Sequence, residues 1–304
     1  MLTDLTDTTT GEIRAALARA QGQLGGPATG VVLNLIIVTD ESGQHDAVRA
    51  ASQASREHPC RVLGVISRES RTTSRLDAEI RSGEGTPGQT VLLRLYGPMS
   101  EHADSVVMPL LVSDTPVVTW WHGMIPAVPS AQPLGVLAQR RVTDAARATA
   151  PAAALAALSA GYEPGDTDFS WTRATPWRSL LAAIVDQEPY AIRGGRVAAE
   201  EFNPTADLLT AWLSSRLDAP FSREISAGPG ITEVSLRTDA GEIVISRPDG
   251  RVATLSLPGQ PDRHVALHRR EMADLLAEEL RRLDPDEVYA EALAQVAGIP
   301  ATTR

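Results

Sequence analysis

His264 and His268 stand four residues apart with Glu271 just beyond, a spacing that sets two imidazoles on one helix face and could hold a metal ion. They straddle an expected strand-to-helix junction, where surface histidines near a helix start are the commoner arrangement, so no metal is expected. Asp166 and Asp168 could act as paired carboxylates. Within the turn-rich run 161–168 they read instead as Asx-turn acceptors. Arg140 and Arg141 form a candidate anion site, set against a solvated helix end. Trp121 ends an apolar strand and His122 follows it. Trp171, Arg173 and Arg178 combine indole with guanidinium, the pair enriched where proteins bind one another. The alternative for Trp171 is a plug between domains.

Other chemistry is excluded by what the chain lacks. All 28 basic residues are Arg, so a Schiff base, a P-loop lysine and a Ser–Lys dyad are ruled out. The turn after the first strong strand reads Thr39-Asp-Glu-Ser-Gly43, without the glycines that bring backbone amides to a pyrophosphate, and no nucleophile elbow occurs. No cofactor is expected.

The elements that must position these residues are legible from their periods. Thr90–Tyr96 and Thr115–Trp121 are strands apolar on both faces, joined by a helix starting near Ser100 that carries Ala103, Val106, Val107, Leu110 and Leu111. Ligands and partners meet such sheets beyond the carboxyl ends of the strands, where Trp120, Trp121 and His122 stand. Neighbouring strand residues face opposite ways, so one indole belongs to the core, and Trp121 is expected at the surface.

Upstream, Thr9 and Glu12 spell a capping box for a helix ending at Gly25-Gly-Pro27. Strands follow at Val31–Val38 and Val62–Ile66. Leu76, Ala78 and Ile80 alternate with charges, as in an edge strand with one wet face, and 82–88 is a loop. Residues 125–133 hold three prolines and form an irregular surface segment, followed by a short helix over Leu134–Arg141 and an Ala-rich helix at Pro151–Ala160.

Past a junction near residue 160, Thr175-Pro176 reads as a helix N-cap with proline at the first helical position, preceded by Trp171-Thr-Arg173 in an irregular segment. Asn203-Pro204 carries the same signal. Residues 222–257 alternate like an antiparallel sheet with a hairpin at Arg247–Arg251, and two helices close the chain. The expected fold is α/β: a doubly wound, mostly parallel sheet over 1–160, Rossmann-like but without the dinucleotide fingerprint, then an α+β domain with a small antiparallel sheet over 161–304.

A formal net charge of -10 argues against nucleic acid and anionic membranes as partners. The one cysteine, Cys60, starts an apolar strand and reads as a buried, inert thiol. No run reaches transmembrane length and the first residues lack a signal peptide's pattern, so a cytoplasmic protein is expected.

Arg56-Glu-His-Pro-Cys-Arg-Val62, Leu93-Arg-Leu-Tyr-Gly97, His102–Val107, Asp114–Val118 with Trp120-Trp121, and Ala138–Asp144 together resemble the OpcA family of glucose-6-phosphate dehydrogenase assembly proteins in its actinobacterial form. Gly165–Asp168, Trp171-Thr-Arg173 and Thr175-Pro-Trp-Arg178 resemble that family's central motif. The resemblance implies a non-catalytic partner that binds glucose-6-phosphate dehydrogenase and favours its active oligomer, promoting the oxidative pentose phosphate pathway. Trp121, His122, Trp171, Arg173 and Arg178 are then the candidate partner contacts. With Cys60 alone, the thioredoxin control associated with cyanobacterial relatives cannot operate as an intramolecular dithiol switch. A reading from another class, a sugar-phosphate-binding sensor or enzyme using the strand-end crevice with Arg140, Arg141, Arg173 or Arg178, stays open, as do a scaffold with several partners and the protein's own oligomeric state.

Overall fold

The structure, a computed structural model, describes residues 2–23, 30–68, 73–81, 89–187 and 190–298. It is mixed α/β, with one mostly parallel eight-stranded sheet and one mostly antiparallel six-stranded sheet. Its residues gather into two units. The first holds Met1–Asp144, Gly165–Thr167 and Met272–Pro285, and the second holds Ala145–Pro164, Asp168–Glu271 and Asp286–Arg304. Where the sequence suggests a single cut at 160/161, the chain therefore passes between units after Asp144, Pro164, Thr167, Glu271 and Pro285.

The chain opens with β1 (Leu2–Leu5) and α1 (Thr10–Gln23). The expected capping box forms, with Thr9 N donating to Glu12 Oε2 at 2.9 Å and Glu12 N donating to Thr9 Oγ1 at 3.3 Å. Next come β2 (Leu33–Thr39), α2 (Gln44–Ala54), β3 (Cys60–Arg68), β4 (Arg75–Arg81) and β5 (Thr90–Tyr96). The helix stop at 25–27 and the loop at 82–88 lie outside the described residues. A 3-10 turn leads into α3 (Ala103–Val107), then β6 (Val117–Trp121), α4 (Pro133–Val136) and β7 (Arg140–Thr143), followed by α5 (Pro151–Ala160) and β8 (Asp166–Asp168).

The large sheet runs β1-β4-β5-β3-β2-β6-β7-β8. Strands β5, β3, β2, β6 and β7 are parallel, and all but β7 (Arg140-Arg-Val-Thr143) read as near-continuous apolar runs because both faces are covered. Ile13, Leu17, Leu63, Leu93, Val107 and Leu110 fill one side, each contributing on the order of 2 kcal/mol by leaving water. Two expectations are corrected here. Strand β4 is not an edge, because β1 pairs antiparallel along it; and the helix expected over 134–141 is only one turn long, with Arg140 and Arg141 opening β7. Both errors have one cause, the tertiary pairing of short segments whose own sequence is too brief to show a period.

The second unit contains α6 (Phe169–Gln187), β9 (Ile192–Ala199), α7 (Pro204–Leu217), β10 (Phe221–Ile225), β11 (Ile231–Thr238), β12 (Glu242–Ser246), β13 (Val252–Ser256) and β14 (Arg263–Ala266). Its sheet runs β10-β9-β11-β12-β13-β14, with β10 and β9 the parallel pair. Trp177, Leu181, Leu209, Leu213, Val234 and Ile245 are among its core residues. Helix α8 (Met272–Arg281) belongs to the first unit and packs on α2, while α9 (Glu287–Gln295) belongs to the second and is capped by Asp286, which accepts from Tyr289 N at 2.9 Å.

Helix α6 departs from expectation. It starts at Phe169, with the buried Asp168 carboxylate accepting from Ser170 N at 2.8 Å, so Trp171 and Arg173 are helical and Pro176 lies inside the helix. A proline there cannot donate to the carbonyl four residues back, that of Thr172. Arg270 Nη1 donates to that oxygen at 3.3 Å instead, a substitution by a residue 98 positions away that makes the interior proline tolerable.

Candidate partner-binding site

In a doubly wound sheet the crevice for a ligand opens where the strand order reverses, here between β2 and β6. That place is filled by the protein's own groups. Asp40 Oδ1 accepts from Gly43 N at 2.6 Å and from Ser42 Oγ at 2.8 Å, so a carboxylate sits on the Gly43 amide just ahead of α2. The Gly43 amide, and after it the Ser42 hydroxyl, hold the Asp40 carboxyl below its ordinary range. Gly43 is required by close packing, since a Cβ on it would lie 2.8 Å from Thr39 Oγ1 and 2.9 Å from His122 Nδ1. Beside this, Glu41 pairs with Arg68 at 2.7 Å and with Arg94 at 3.2 Å.

Both indoles that follow are inside. Trp120 is fully buried with its ring edge-on to His122 at 5.1 Å, and Trp121, expected at the surface, is 5% exposed. The pleat does send them to opposite faces, but the second face is covered too: α4 lies against it, so that a Cβ on Gly135 would lie 3.3 Å from Trp121 Cη2. His122 is likewise buried. The exposed groups of this segment are Met124, 91% exposed, and Val136, 71% exposed, apolar residues that the sequence reading passed over because it weighed aromatics and charges.

Arg140 and Arg141 are also engaged within the first unit. Arg140 Nε donates to Glu279 Oε2 at 2.8 Å and its Nη1 to the Asp284 carbonyl at 2.9 Å; Arg141 pairs with Asp166 and donates to the Ala138 carbonyl at 3.0 Å. Internal carboxylates thus stand where an external anion was expected. His264 and His268 are exposed, and among the described residues no three or more metal-ligating side chains gather.

In the second unit, Trp171 is 1% exposed. Its Nε1 donates to Asp286 Oδ2 at 2.8 Å and its ring tilts against Tyr289. Arg178 sits seven residues later, about 20° around the helix from Trp171. Helical side chains lean toward the N-terminus, so its guanidinium reaches back over the indole. The buried indole is therefore a platform, and the half-buried Arg178 is the member of the pair that reaches solvent, lining a groove with Leu181, Val185, Trp212, Leu217 and Val288.

Arg173, five residues before Arg178 and about 140° around the helix, faces elsewhere. It lines a cavity of about 270 Å³ with Arg147, Arg247, Arg269 and Arg270. The arginines expected to share one surface thus serve two.

Two sequence-family models match the chain, one described as the glucose-6-phosphate dehydrogenase subunit N-terminal domain over residues 51–160 and one as the corresponding C-terminal domain over residues 164–293. No curated protein sequence matches it. Similar solved structures include an oxidoreductase from Sinorhizobium meliloti, at 10% identity over 88% of this chain and 96% of that chain with a TM-score of 0.45, and an NAD binding oxidoreductase from Klebsiella pneumoniae, at 11% identity over the same shares with a TM-score of 0.43. At these values neither bears on activity.

Proposed function

The chain belongs to the OpcA family, whose N- and C-terminal domain models match it in order over most of its length, and from that membership we propose that it is a non-catalytic, cytoplasmic assembly factor that binds glucose-6-phosphate dehydrogenase and favours its active oligomer. A protein that binds the assembled enzyme more tightly than the dissociated form shifts the population by mass action and needs no catalytic residue of its own. A preference of about tenfold corresponds to roughly 1.4 kcal/mol per binding event, and equal affinity for both forms activates nothing. The observation that supports the non-catalytic reading is the strand-end crevice, where the Asp40 carboxylate occupies the Gly43 amide just ahead of α2, a place a nucleotide phosphate would need.

The partner contacts are assigned to groups that reach solvent. Met124 and Val136 supply exposed apolar area at the carboxyl end of β6, and methionine is enriched in protein interfaces. Arg173 and Arg178 supply guanidinium donors from α6. Trp121, His122 and Trp171 act from beneath, fixing the backbone that presents these groups.

The deciding experiment is a titration of the purified protein into purified glucose-6-phosphate dehydrogenase with activity and mass recorded together. The expected outcome is a rise in activity that tracks a shift to the larger oligomer. Activity unchanged at saturation, or a rise without any complex, overturns the proposal.

A further inference from the structure

The 270 Å³ cavity at one end of the six-stranded sheet has a charge pattern at odds with the rest of the chain. The protein carries a formal net charge of -10, yet this wall collects Arg147, Arg173, Arg247, Arg269, Arg270 and His268 against a single carboxylate, Glu200. Glu200 is turned to amides, accepting from Asn203 Nδ2 at 3.1 Å and from Gly230 N at 3.1 Å. Asn203 and Thr205 also line the cavity, so the first turn of α7 brings the positive end of a 14-residue helix to it.

Arg247 is the second observation. It is 5% exposed, its Nη1 and Nη2 donate to the carbonyls of Leu267 and Ile231 at 2.9 Å each, and its Nε has no partner among the described residues. Arg147, Arg247 and Arg269 form no ion pair among those residues. Burial, and after it the charge of Arg269, push the Arg247 guanidinium down to about 10. Asp249 offsets part of this through space, but no carboxylate forms an ion pair with the buried guanidinium among the described residues, and a second cation stands beside it, so an anion in the cavity would complete it.

We propose that this cavity binds a compact phosphate monoester, its dianionic phosphate held by Arg173, Arg247, Arg269 and Arg270 and its carbon skeleton lying against Phe202 and Pro176. Forked guanidinium donors from several directions suit a tetrahedral dianion better than a planar carboxylate. Arg270 is already aimed by its bond to the Thr172 carbonyl, so part of the ordering cost is met before a ligand arrives. Phe202, 65% exposed, and the pyrrolidine of Pro176 give the rim an apolar side that inorganic phosphate would leave unused. Arg173 is shared with the proposed partner contacts, whereas Arg247, Arg269 and Arg270 are not, and binding here needs no dehydrogenase to be observed.

The test is calorimetric titration of the full-length protein, at matched ionic strength, with inorganic phosphate, glucose 6-phosphate and adenosine 5′-monophosphate. The expected result is saturable binding of at least one ester, tighter than inorganic phosphate, and weakened about tenfold or more by Arg269→Ala and by Arg173→Ala. Where Arg173→Ala lowers the melting temperature, Arg269→Ala decides, since that side chain is exposed and forms no ion pair among the described residues. No saturable binding by any probe overturns the proposal. So does ester binding that is unchanged in Arg269→Ala, or equal affinity for inorganic phosphate and both esters.

Discussion

The guanidinium carbon of Arg178 lies 3.6 Å from the centre of the Trp171 indole, so a residue that reaches solvent rests on one that does not. The two should separate on mutation. Trp171→Ala removes a fully buried indole together with its bond to Asp286 and is expected to cost about 3–5 kcal/mol, whereas Arg178→Ala is expected to cost about 1 kcal/mol. Denaturant unfolding of the full chain gives both numbers, and equal small losses would show that the indole is not structural.

Met124 offers the complementary case. Its side chain is almost fully exposed, so Met124→Asp should leave the melting temperature within a few degrees. The same change places an unpaired charge in the proposed contact and should weaken binding to glucose-6-phosphate dehydrogenase by tenfold or more, about 1.4 kcal/mol. Surface plasmon resonance with both proteins measures it. Unaltered affinity would remove this segment from the interface.

The Arg140–Glu279 pair is buried on both sides, with side chains 5% and 4% exposed. Breaking it removes the guanidinium from a buried carboxylate, so Arg140→Ala should destabilise by about 3–5 kcal/mol, while Arg140→Met combined with Glu279→Leu should recover most of the loss. A double variant no more stable than the single one would argue that packing, not charge, is what matters there.

Cys60 is fully buried, with Ser55 Oγ 2.9 Å from its sulfur, and burial pushes its thiol from 9.0 up to about 11. Two outcomes follow. At pH 8 an aromatic disulfide reagent should modify the denatured chain quickly and the native chain negligibly. Because the native state holds the proton to higher pH than the unfolded state, this group's contribution is complete below pH 9.0 and is lost as pH rises toward about 11. Rapid native-state labelling would disprove the assignment.

Nucleotide titrations probe the crevice between β2 and β6. With the Asp40 carboxylate seated on the Gly43 amide ahead of α2, calorimetry with NADP should give no saturable heat at micromolar concentrations. Saturable binding there would mean that the carboxylate is displaced and the non-catalytic assignment is wrong.

Much of this was legible from local sequence. The Thr9–Glu12 capping box, the strand Thr90–Tyr96, the hairpin at 247–251 and the helix start near Asp286 all depend on neighbours a few residues apart. What failed depended on distant partners. Thr175-Pro176 looks like a helix start until Arg270 supplies the missing donor from 98 residues away. Arg140 looks like an open cation until Glu279 arrives from 139 residues downstream. Alternation in β6 separates Trp120 from Trp121, but whether the second face is wet is decided by how the prolines beyond it fold. The basic cavity is assembled from a 3-10 turn, a helix, a strand end and a loop, and no window of sequence contains it.

The interleaving of the two units bears on how the chain is made. A ribosome emits residues 1–144 long before α8, yet α8 carries the counter-charge of Arg140 and covers α2. The nascent first unit must therefore wait, with an uncompensated guanidinium on β7, until α8 has emerged. Domains that are contiguous in sequence can fold in order of synthesis, but this one closes last what it began first. A translation product halted after residue 167 should thus be trapped by chaperones or degraded, whereas the same sequence supplied with residues 272–285 as a separate peptide should recover native-like order.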